Sequence, residues 1–146
     1  MAPTKRASGE LFSLLHAAGT VESQVDSALA AIGLSLPKLA ALSQLHAAGE
    51  SMPLGELAAK LSCVKSNVTQ LVDRLEADGL VSRAPDPNDR RSRLAVLTAA
   101  GRKAFETGAR VQQQAERDVF SGLTAEESHQ LQALIGKLDR TKGKEK

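Results

Sequence analysis

The chain contains no tryptophan and no tyrosine, and its three phenylalanines bring the aromatic content to only 2%. Its core must therefore come from Leu, Val, Ala and Ile, a composition that favours helices. The same scarcity makes stacking on a flat aromatic ligand poor. A single cysteine, Cys63, excludes an internal disulfide and any multi-cysteine metal site, and it suits a reducing compartment. No stretch approaches the roughly 18 uninterrupted apolar residues of a membrane span, and the first ten residues carry no apolar leader segment. A soluble, cytoplasmic protein without a membrane partner is expected. The 19 Lys and Arg against 17 Asp and Glu leave a formal charge of +2, too mild to imply a polyanionic partner, so local clustering has to be read instead. No nucleophile with a companion base, no phosphate loop and no ligand-spaced histidines are visible, which argues against an enzyme, a cofactor or a metal site.

What is present is helical periodicity. At 146 residues the chain is long enough to bury a core without cross-links. Residues 1–9 are polar, basic and unpatterned, which predicts a flexible tail. From Glu10 to Ile32, apolar residues at steps of three and four predict a long amphipathic helix ended by Gly33. Ser35 caps a second helix with Pro37 in its first turn, running to Gly49. A short helix over Pro53–Leu61 then leads through a tight turn into the stretch Val64–Gly79. At about 100° per residue this stretch places Val64, Val68, Leu71, Val72 and Leu75 on one face and Ser66, Thr69, Gln70 and Asp73 opposite, with Lys65, Asn67 and Arg74 on the flanks. Short amide and hydroxyl side chains rimmed by cations are the chemistry of reading base edges. Two short helices joined so tightly cross steeply, as in a helix-turn-helix whose second helix enters the major groove.

After Gly79, residues 80–84 and 93–97 predict two strands joined by a long, proline-stiffened loop over 85–92. Arg83, Arg90, Arg91 and Arg93 stand on this hairpin against Asp86 and Asp89. Arginine at every basic position, beside a candidate recognition helix, points to phosphate pairing or minor-groove insertion rather than a merely solvated loop. Thr98 caps a helix over Ala99–Phe120, and Thr124 with Glu127 forms a capping box for a last helix striped by Leu131, Leu134, Ile135 and Leu138. Residues 141–146 form a basic tail. Apolar stripes on both terminal helices would stay partly bare in one chain, which calls for a partner and, with twofold symmetry, a homodimer.

Gly55-Glu-Leu-Ala58, Asn67-Val-Thr-Gln-Leu-Val-Asp-Arg-Leu-Glu76, Asp78-Gly-Leu-Val81, Asp86-Pro-Asn-Asp-Arg-Arg91, and Leu97-Thr98 with Gly101 occur in an order that resembles the MarR family of bacterial winged helix-turn-helix regulators. The resemblance implies a mainly α fold with a small β-hairpin wing: dimerisation helices over 10–33 and 99–140, and a DNA-binding lobe over 34–98. It implies a homodimer on a pseudo-palindromic double-stranded operator, repressing transcription until a small-molecule effector or oxidant releases it. Ser66, Thr69 and Gln70 are then the base-edge candidates, and Lys65 and Arg74 the phosphate contacts. Arg91 matches the wing arginine of the minor groove, Asp89 the acid that orients it, and Arg90 and Arg93 phosphate or structural positions. Asn67 lies on the same DNA-facing stretch with a structural leaning, as does Asp73, because an acid near phosphate needs a partner arginine. Val64 stands where relatives carry a small polar or acidic cap, which moves the expected cap to Ser62 or Ser66.

Two further readings stand beside these. Cys63 ahead of a helix N-terminus is a redox candidate, against the plainer role of a small apolar plug. His16 and His46 are candidates for an effector pocket between the lobes. A winged-helix adaptor that binds only protein is the alternative function, since fold alone does not fix activity; the arginine wing discriminates against it.

Overall fold

The computed structural model describes residues 2–61 and 67–139, with side chains from residue 9 onward. Along the chain lie α1 (Ala2–Ala30), α2 (Leu36–Ala47), β1 (Ser51–Pro53), α3 (Leu54–Lys60), α4 (Val68–Ala77), β2 (Val81–Asp86), β3 (Asp89–Leu97), α5 (Ala99–Val119) and α6 (Ala125–Leu138). The helices follow the apolar periodicity, and their starts follow the caps. Ser35 accepts the Lys38 N–H at 3.3 Å, Thr98 that of Gly101 at 3.0 Å, and Thr124 and Glu127 satisfy each other's backbone amides. Gly33 and Gly79, both at φ +77°, turn the chain out of α1 and α4 in a conformation that costs glycine little.

The core sits in the middle of the chain. Leu42 and Leu45 of α2, Leu57 of α3, Val72 and Leu75 of α4 and Val81 of β2 are fully buried together with Leu29 near the end of α1. On α5 the buried positions are Gly101, Gly108 and Ala115. They recur every seventh residue, so the helix presents a strip of small side chains, Gly101 against Leu80 and Leu97, Gly108 against Leu34 and Leu39, and Ala115 towards α1. The terminal helices bury little else. Leu11, Phe12 and Leu15 are 53%, 66% and 58% exposed, Leu134 and Leu138 are 58% and 65%, and no residue of α6 is buried.

Three expectations are corrected. Residues 2–9, read as part of a flexible tail, belong to α1; Ala2, Lys5, Arg6 and Ala7 are strong helix formers, and Pro3 falls in the first turn, where its missing N–H costs nothing. The strands of the hairpin run on to Asp86 and Asp89, so the long loop shrinks to a tight turn at Pro87 and Asn88. A third strand, β1, pairs with β3 to give the antiparallel order β1-β3-β2. Three residues carry too short a pattern to be read as a strand before β3 is in place.

Candidate nucleic-acid interface

α4 begins at Val68, and its cap is Asn67, whose side-chain oxygen accepts the Gln70 N–H at 3.2 Å from an extended backbone. The expected cap at Ser62 or Ser66 is therefore corrected, since the described helix starts after both. Asn67 keeps the structural role it leaned towards. Cys63, Lys65 and Ser66, and with them the redox reading and part of the proposed reading face, lie outside the described residues. Within α4, Leu71, Val72 and Leu75 are buried and Thr69, Gln70, Asp73 and Arg74 are exposed. Two outward rows result, Thr69-Asp73-Glu76 and Gln70-Arg74-Ala77, each spaced so that side chains stack one turn above another.

The wing lies beside this face. From Val81↔Leu97 to Pro85↔Arg93 the β2–β3 register is regular, but Asp86 pairs with Asp89. Arg90, Arg91 and Ser92 therefore bulge out of the ladder, which re-aims their side chains. Asp86 accepts the Asn88 N–H and Asp89 the Arg91 N–H, each at 2.9 Å. Asp89 thus meets Arg91 at its main-chain N–H, where the resemblance implied an acid that orients the arginine. Arg90, Arg91 and Arg93 are exposed, and none is held in an ion pair among the described residues.

Arg83 differs from its neighbours. Its guanidinium donates to Asp73 at 2.7 Å and to Glu76 at 2.6 Å, tying β2 to the Thr69 row of α4. The hydrogen bond to Asp73 is the main reason its pKa lies above the ordinary arginine value. Asp73 thereby has the partner arginine that an acid in this place requires.

A second joint holds the wing to α5. The Thr98 hydroxyl donates to the Gly79 carbonyl at 2.8 Å while the Thr98 N–H donates to Leu80 at 3.1 Å. Glu50, at φ +86°, accepts the Leu97 N–H on its carbonyl at 2.7 Å, and its carboxylate takes a two-pronged contact from Arg102 at 2.5 and 2.8 Å. Arg102 holds the Glu50 carboxyl below the ordinary glutamate value. Sequence reading singled out neither residue: an arginine in a helix and a glutamate after a glycine carry no mark of a partner fifty-two positions apart.

The two histidines proposed for an effector pocket are not brought together. His16 borders a shallow groove formed by α1 alone, with Leu15, Gly19, Thr20, Ser23 and Gln24, whereas His46 stacks on Phe105 of α5 with ring centroids 4.6 Å apart. Other clefts lie between α1 and α5 around Gln24, Val111 and Asp118, and beside Ile32, Leu34 and Lys103. Among the described residues, no three His, Cys, Asp or Glu side chains cluster as a metal site would, and no helix is long and apolar enough to cross a membrane.

Comparison with known proteins places this arrangement. The MarR family model matches residues 34–92. The HTH-type transcriptional repressor Rv2887 of Mycobacterium tuberculosis is 30% identical over 126 residues, covering 86% of this chain and 90% of that one. The transcriptional activatory protein BadR of Rhodopseudomonas palustris is 38% identical over 96 residues, or 64% of this chain, and the match spans about half of BadR, 51%. A mutant MarR from E. coli, solved in complex with operator DNA, superposes with a TM-score of 0.80 at 28% identity, covering 89% of this chain and 94% of that one.

Proposed function

This chain belongs to the MarR family, a family of transcription regulators rather than enzymes, and from that premise we propose that it binds duplex DNA as a homodimer. One α4 would enter the major groove at each half of a pseudo-palindromic operator, with the β2–β3 wings over the flanking minor grooves. The observation that carries this reading is the exposed row of Gln70 and Arg74 with Thr69 beside it, next to a bulged hairpin whose Arg90, Arg91 and Arg93 are free of ion pairs among the described residues. Amide and hydroxyl groups read base edges, and arginines hold phosphate or enter a narrow minor groove. The exposed apolar residues of α1 and α6 support the homodimer, because large apolar side chains clustered on a helix face are usually covered by a partner. Two copies related by a twofold axis would set their recognition helices roughly 34–36 Å apart, one turn of DNA. Bound across a promoter, such a dimer represses by occupying it, and a small-molecule or oxidant signal relieves repression by favouring a conformation in which the two α4 helices no longer match that spacing.

Selection from a pool of random duplexes, followed by titration of the winners at several salt concentrations, tests the reading. An inverted repeat with half-sites one turn apart, bound with a steep salt dependence, is the expected result. Binding that is absent, or equal for every sequence, would leave the protein-adaptor reading in its place. Placing the selected site within a promoter then tells repression from activation by the sign of the change in transcript.

A further inference from the structure

Asp73 and Glu76 are out of place on a surface meant for DNA. They extend the Thr69 row by one and two turns, their side chains are 59% and 43% exposed, and a duplex lying along α4 would bring phosphates close to both. Arg83 lies behind them, its side chain only 19% exposed. Each terminal nitrogen of its guanidinium donates to one of the two acids. Its place is set by the sheet, where Arg83 pairs with Ala95, a fully buried residue of β3. The arginine thus joins the wing strand β2 to the two acids, whereas Arg90, Arg91 and Arg93 are exposed and form no ion pair among the described residues.

We propose that Arg83 serves DNA binding as the counter-ion of α4: it acts through Asp73 and Glu76, cutting their repulsion of the phosphates, and does not itself contact the duplex. The proposal rests on the DNA-binding reading above. It differs from a clamp that merely holds wing to helix, because a counter-ion becomes dispensable once the charges it neutralises are gone. Like charges brought together at an interface are costly, so the arginine without its acids and the acids without their arginine have opposite consequences.

The experiment measures affinity for the selected duplex at two or more salt concentrations for four variants, each first shown by circular dichroism to fold. R83Q is expected to weaken binding about tenfold or more, the scale of an uncompensated like-charge contact. D73N/E76Q is expected to bind at least as tightly as the unmodified chain. Combining all three substitutions should bring affinity back to within about threefold of D73N/E76Q, a non-additivity that reports coupling of Arg83 to the acids. R83K, which keeps the charge but not the fork, should retain most of the affinity even if R83Q folds poorly. A triple variant as weak as R83Q would overturn the proposal in favour of direct contact or clamping, and so would an R83Q that binds normally. If the unmodified chain binds no duplex at all, the DNA-binding reading falls and this one falls with it; if it binds and only the rescue fails, the Arg83 assignment alone is lost.

Discussion

Alanine at Gly101 and alanine at Gly108 are the same change on the same helix, seven residues apart, both at buried positions, and they should behave differently. A Cβ at residue 101 would lie 2.0 Å from the Leu80 carbonyl oxygen, 3.0 Å from its carbon and 2.8 Å from Leu97 Cδ1. The first two are backbone atoms, and that carbonyl also accepts the Thr98 N–H, so relief requires shifting the α4–β2 corner or the start of α5. Overpacking of this kind costs about 1–3 kcal/mol, and a weakened backbone hydrogen bond adds about 1 kcal/mol. The better helix propensity of alanine returns about 1 kcal/mol, leaving a net loss of about 1–3 kcal/mol. At residue 108 the Cβ would meet Leu34 Cδ1 and Leu39 Cδ1, both at 2.8 Å. Those are the ends of flexible side chains, and their adjustment is largely offset by propensity, so a change of about 0–1 kcal/mol is expected. For a chain of this size the losses correspond to a drop of about 3–10 °C in Tm for G101A against about 3 °C or less for G108A. Calorimetry at one fixed protein concentration, because association shifts Tm, is the measurement. G101A melting as high as G108A would refute the argument, since only the backbone contact separates the two.

Losing the cap in N67A should cost about 1 kcal/mol; an unchanged Tm would place the start of α4 elsewhere. The Glu50 carboxyl, held below its ordinary value chiefly by the Arg102 hydrogen bond, contributes stability that is complete at neutral pH and is lost as pH falls through and below the ordinary glutamate range. R102Q should therefore lose less stability than the unmodified chain between about pH 6 and about pH 3.5, and parallel pH profiles would contradict the coupling. R91A should weaken binding to all duplexes and reduce the salt slope by about one, whereas Q70A should mainly relax base preference; mobility shifts over a small set of operator variants separate the two. Aspartate at Leu134, 58% exposed on α6, should give a monomer in sedimentation and abolish operator binding with little change in secondary structure. A dimer that survives it would move the interface away from α6.

Much of what depends on one or two turns of chain was legible in the sequence, although the start of α1 and the cap of α4 were not. The helices follow apolar spacing, and the caps at Ser35, Thr98 and Thr124 come from side chains that reach an amide three residues on. The hairpin announces itself by residue type, and the recognition helix by the face it leaves polar. Where several local solutions compete, the sequence is ambiguous. Ser62, Ser66 and Asn67 are all competent caps, and the phase of Leu71, Val72 and Leu75 against the core selects Asn67. The sequence does not specify which charges meet. Arg83 belongs with Arg90, Arg91 and Arg93 by composition, yet the register of β2 on β3 sets it against two acids of α4, while Arg90 and Arg91 sit in the bulge and Arg93 stays exposed on the ladder. Glu50 and Arg102 join only because α2, β3 and α5 converge at one corner. β1 exists as a strand only because β3 offers it a ladder. Periodicity, capping and turn chemistry are written in neighbouring residues, but ion pairs and short strands are properties of two segments at once, and only tertiary packing brings those segments together.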